Sequence, residues 1–88
     1  GTIVVPPDAG GRRLKLGKLE VRYPSDTSVE IRSAFERECR VVFPDHKGRI
    51  TVRSKGESVP CQQQNDPAPA VSFSASPGAV YAVTLSGD

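Results

Sequence analysis

Glycine and proline interrupt this chain so often that it has little room for a helix. The 88 residues include eight Gly and eight Pro, and most of the segments between them are shorter than an average helix of about 11 residues. Within those segments apolar residues recur at every second position. Leu19, Val21 and Tyr23 fall on one side of an extended strand, with Lys18, Glu20 and Arg22 on the other. Ile50 and Val52 are interleaved with Arg49, Thr51 and Arg53 in the same way. Residue type agrees with spacing, since 11 Val and 3 Ile stand against 4 Leu and no Met. β-Branched side chains suit a pleated surface better than a helical one.

The alternation predicts strands over Thr2 to Val5, Arg12 to Leu16, Lys18 to Tyr23, Ser28 to Ser33, Glu38 to Phe43, Arg49 to Arg53, Ala70 to Ala75 and Ala79 to Leu85. Turn signals separate them at Pro6 to Gly11, Pro24 to Asp26, Pro44 to Gly48, Ser54 to Glu57 and Ser76 to Gly78. Short strands at this spacing predict an all-β fold, a small antiparallel β-sandwich of about seven or eight strands. Its expected core is Leu14, Leu16, Leu19, Val21, Ile31, Val41, Phe43, Ile50, Val52, Phe73, Tyr81 and Val83.

One segment admits two readings. Asp26 to Phe43 holds no Gly or Pro, and Ile31, Phe35, Cys39 and Val42 make an apolar stripe at helical spacing behind a capping-box pair, Thr27 and Glu30. The β-branched residues at either end, Val29 and Ile31, then Val41 and Val42, instead fit a hairpin that turns at Ala34 to Arg37.

Length and charge exclude several functions. At 9.4 kDa residues 1 to 88 make a single domain, with room for one modest core and little for a deep enclosed active site. The absence of Met at position 1 leads us to expect a domain cut from a longer polypeptide. No apolar run approaches the roughly 20 residues that span a bilayer, so no membrane partner is expected. A net charge of +2 argues against nucleic acid, as does the lack of tyrosines among Arg12, Arg13, Lys15 and Lys18, the one local excess of positive charge.

No residue pattern selects a catalytic site. Cys39, Cys61 and the single His46 are too few for a zinc site without a carboxylate, and no metal or other cofactor is expected. His46 stands between Asp45 and Lys47 in a turn, where neighbouring side chains diverge, and no Gly-x-Ser-x-Gly elbow accompanies the nine serines. Cys39 and Cys61 admit two states. A disulfide between them would close a loop of a little over 20 residues and contribute about 3 kcal/mol; otherwise they are independent thiols, Cys39 a small buried one. The stretch from Cys61 to Ala70 has almost nothing to bury and reads as a polar loop, an ordinary connection or one whose amides contact a ligand such as a sugar. Tyr23 is the candidate aromatic contact for a glycan or an interface.

The second half of the chain resembles a known family. Val29-Glu30-Ile31-Arg32-Ser33, Glu38-Cys39-Arg40-Val41-Val42-Phe43-Pro44, Gly48-Arg49-Ile50-Thr51-Val52 with Ser54-Lys55-Gly56-Glu57-Ser58-Val59-Pro60, and Val71-Ser72-Phe73-Ser74-Ala75-Ser76-Pro77-Gly78-Ala79-Val80-Tyr81-Ala82-Val83 resemble, in order, the C-terminal β-sandwich region of glycoside hydrolase family 95, the α-L-fucosidase-like enzymes. The spacing of Phe73, Gly78 and Tyr81 is the most specific part, and Phe35-Glu36-Arg37 stands where a glycine turn is expected. The resemblance implies a non-catalytic accessory domain of an extracellular or periplasmic carbohydrate-active protein. Its partner would be the catalytic domain of the same polypeptide, which carries the carboxylates, so no catalytic residue transfers to this chain. The competing function is an autonomous carbohydrate- or protein-binding β module. An α+β nucleic-acid module would need the helix between Asp26 and Phe43.

Overall fold

The structure is a computed structural model and describes residues 1–87. Among the described residues the chain forms strands β1 (Thr2–Val4), β2 (Arg13–Leu16), β3 (Leu19–Ser25), β4 (Ser28–Ser33), β5 (Arg37–Val42), β6 (Arg49–Ser54), β7 (Glu57–Ser58), β8 (Gln62–Gln64), β9 (Ala70–Ala75) and β10 (Val80–Ser86). They build a four-stranded sheet, β1-β5-β9-β8, and a six-stranded sheet, β2-β3-β4-β10-β6-β7. The result is the all-β sandwich that the alternation predicts, with ten strands rather than seven or eight. The two additions are β7 and β8, short edge strands whose polar sequences carry no apolar alternation.

One pairing departs from the antiparallel expectation. β1 runs parallel to β5, with Ile3 opposite Val41. Parallel neighbours need a long connection, and here β2, β3 and β4, which lie in the other sheet, supply it.

The segment from Asp26 to Phe43 is neither a helix nor a hairpin. Its two strands form as expected, but β4 pairs with β3 and β10 while β5 pairs with β1 and β9. Residues 34–36 therefore carry the chain from one sheet to the other. Ser33, the only buried polar residue among those described, fixes the crossing: its hydroxyl donates to the Phe35 carbonyl at 2.6 Å and accepts the Phe35 N–H at 3.3 Å. The Ala34 N–H donates to the Lys18 carbonyl, and the Ser33 carbonyl accepts the Gly78 N–H. A period of two buries Val29, Ile31 and Ser33 from one layer and Cys39, Val41 and Phe43 from the other. A helical stripe would have buried Phe35, which stays exposed.

Ten of the twelve expected core residues are buried, with Phe43, Ile31, Val41 and Val83 wholly so. Leu14 and Leu16 are the exceptions, at 45% and 55% exposure. Their side chains occupy the core-facing row, since Leu14 stands opposite Val21 and Leu16 opposite Leu19. They lack a cover because β2 is the outermost strand of the wider sheet.

The Phe73, Gly78 and Tyr81 spacing corresponds to a clamped turn. Gly78 adopts φ 79°, a conformation that other residues resist. The Tyr81 ring packs 5.2 Å from Phe73, and its hydroxyl accepts the Ser76 N–H at 2.8 Å. At the opposite end of the strands, Gly48 has no room for a side chain, because a Cβ there would run into the Ser86 carbonyl oxygen.

Candidate functional site

The two long edges of the sandwich differ. On one edge, β8 and β6 belong to different sheets, and Gln63 joins them. Its side-chain amide donates to the Ile50 carbonyl at 2.6 Å, and its carbonyl oxygen accepts the Ile50 N–H at 3.3 Å. A primary amide has the donor and acceptor of a peptide group, so Gln63 extends the ladder where the backbone itself does not reach.

The other edge is open. Between β1 and β2 lies a groove of about 180 Å³ lined by Gly1, Thr2, Ile3, Leu16, Leu19, Arg37, Glu38 and Cys39. The crossing at residues 34–36 is tied to the β2–β3 turn by the Ala34 to Lys18 bond. Phe35 therefore sits at the Leu16 end of this edge. It is the exposed aromatic of the five, at 48%, and the Arg37 guanidinium lies 5.1 Å above its ring, within cation–π range.

A second concavity of about 470 Å³ separates the β5–β6 loop from the β8–β9 loop, with His46, Lys47 and Arg49 on one wall and Asn65 and Asp66 on the other. The His46 ring meets Phe43 edge-on at 6.4 Å. Among the described residues, no three His, Cys, Asp or Glu side chains gather as metal ligands would.

The sequence-derived site residues land elsewhere. Tyr23 is buried at 6% exposure, so its ring is a core element and not a platform for a glycan. Burial pushes its phenol pKa up, with Arg12 opposing. The alternation that placed Tyr23 with Leu19 and Val21 already signalled this, and the exposed ring, Phe35, was masked by its place in the apparent helical stripe.

Cys39 and Cys61 are free thiols. Cys39 stands opposite Phe73 on one side, and the register of Gln62 with Ser72 brings Cys61 against Phe73 from the other. Two strand spacings, about 9.6 Å, exceed the roughly 7 Å of Cα separation that a disulfide bridges. Phe73 thus stands in the row between the two cysteines, and of the two states that the sequence admits the structure has the independent thiols. Burial, opposed by Arg37 and the amino terminus, pushes the Cys39 thiol pKa up, which keeps it protonated and a poor nucleophile at neutral pH.

Comparison with known protein families and with curated proteins finds no match for this chain.

Proposed function

We propose that this chain is a non-catalytic accessory β-sandwich that packs through its β1/β2 edge against a separate domain of the same polypeptide. By its resemblance to the α-L-fucosidase-like glycoside hydrolases, that neighbour is a catalytic domain acting on carbohydrate outside the cytoplasm. The observation that supports the packing role is the exposure of Leu14 and Leu16 on the core-facing row of β2. Covering what remains of each leucine is worth roughly 1 kcal/mol. Ile3, Leu19 and Cys39 extend the apolar surface inward. The groove also includes Gly1 and Thr2, so any polypeptide joined ahead of Gly1 emerges at this surface.

In the intact polypeptide, the double variant L14D/L16D is expected to split one calorimetric unfolding transition into two, while the isolated 88-residue chain melts within about 2 °C of wild type, as exposed substitutions do. A single unchanged transition in the double variant would sink the packing role. A second function, an autonomous carbohydrate- or protein-binding module, draws support from the polar loop cleft of His46, Lys47, Arg49, Asn65 and Asp66. It is favoured if ligand binding to the isolated chain is lost in Asn65→Ala or Asp66→Ala.

A further inference from the structure

The alternation that buries Leu19, Val21, Val29, Ile31, Ile50 and Val52 leaves an outward set on the six-stranded sheet, which strand register sorts into rows. One row runs Lys15, Glu20, Arg32, Val80, and the next runs Arg13, Arg22, Glu30, Ala82, Arg53. Arg49 stands opposite Ser86 on the same face. Six cations, Arg13, Lys15, Arg22, Arg32, Arg49 and Arg53, thus share the face with two carboxylates, Glu20 and Glu30. The face carries four net positive charges on a chain whose total is +2, so the remaining surface is net negative. Charge is segregated to one side, which creates a directed field that a balanced total conceals.

The two carboxylates do little to cancel it. Glu20 lies 3.7 Å from Arg32 and Glu30 lies 3.7 Å from Arg22, both long, solvated pairs of the kind that contribute little. Arg13 stands directly across from Arg22, and like charges in that register are unfavourable. Arg53 faces Ala82. An anion lying over the sheet would relieve the opposed pair and give Arg53 a partner.

We infer that this face binds an acidic polysaccharide, a polymer whose carboxylate or sulfate groups repeat along the chain. From β2 to β6 the Arg13 row crosses four strand spacings, about 19 Å, which is room for several charged sugars in succession. Guanidinium groups hold carboxylate and sulfate oxygens through paired hydrogen bonds. Ser28, Thr84 and Thr51 form the adjoining row and offer hydroxyls to the uncharged sugar oxygens. Nucleic acid fits less well. Among the described residues no aromatic side chain faces outward from this sheet for bases to stack on, and no helix is present to enter a duplex groove. The inference does not rest on the edge-packing role, because Leu14 and Leu16 point to the opposite side of the same strand.

The test passes the 88-residue chain over immobilised heparin, polygalacturonate, neutral dextran and duplex DNA at about 0.1 M salt, where surface charges more than a Debye length apart are already screened. Retention is expected on heparin, on polygalacturonate or on both, and not on dextran. The pattern assigns sulfate or carboxylate as the preferred group. The double variant R13Q/R53Q should bind about tenfold more weakly, while R37Q/R40Q, an equal charge change on the four-stranded sheet, should stay within about twofold. Absence of retention on both acidic polysaccharides would overturn the inference. So would equal losses in the two double variants, or retention on DNA as strong as on the polysaccharides.

Discussion

The two long edges of this sandwich solve the same problem in different ways. At the β6/β8 edge Gln63 extends its amide across to Ile50, and the two sheets are joined by hydrogen bonds. At the β1/β2 edge apolar side chains are left exposed on the core-facing row of β2: Leu16 lines the groove, and Leu14 lies farther along the same strand. A polar closure completes the module by itself; an apolar opening leaves it with surface suited to burial elsewhere. The edge with exposed leucines is therefore the one open to a neighbour, and the edge bridged by an amide is the one already closed.

That contrast yields measurable differences. The largest separates the shared centre from the open edge. Phe43→Ala, at a residue with no exposure, is expected to cost about 3–5 kcal/mol in urea unfolding, while Leu16→Ala costs under about 1 kcal/mol in the isolated chain. Comparable losses at the two positions would mean that the open edge is covered in solution. Next comes the closed edge, where Gln63→Ala removes both bonds to Ile50 and should cost about 1–2 kcal/mol. Gln63→Glu should not restore the loss, because a carboxylate lacks the donor that the Ile50 carbonyl accepts.

The smallest effect is a pH dependence from buried groups. The Cys39 thiol, at the floor of the open groove, and the Tyr23 phenol both have raised pKa values through burial. Each holds its proton more tightly in the folded chain. The stability they contribute is therefore complete below the ordinary values of 9.0 for the thiol and 10.0 for the phenol, and is lost as pH rises toward the folded values. The urea midpoint should fall between pH 8 and about 11, less steeply in Cys39→Ala. An equally steep fall in that variant would assign the effect to Tyr23 alone.

Most of the fold was legible because a period of two is a local signal. Ile50 and Val52 among Arg49, Thr51 and Arg53, or Leu19, Val21 and Tyr23 among Lys18, Glu20 and Arg22, reveal a half-buried strand without any knowledge of its neighbours. Pairing is not local, and there the sequence fell short. Nothing in Ser33-Ala34-Phe35-Glu36 distinguishes a hairpin turn from a crossing between sheets, since the deciding bonds come from Lys18 and Gly78. Leu14 and Leu16 satisfied the inward pattern, yet their exposure depends on which strand ends the sheet. β8 escaped notice because its glutamines bury nothing. The repeated amide was nevertheless a signal, since glutamine is a side chain able to stand in for a strand. At the candidate surfaces the charged rows were visible only as an unremarkable balance, because register, and not composition, assembles them on one face.

The row of Cys39, Phe73 and Cys61 has a consequence for what supports such a domain. Its two sulfur atoms are kept apart by an aromatic ring, so an oxidant has no internal cross-link to make between them. The fold within one chain is thereby held by packing and strand pairing, with no sulfur bridge among its supports.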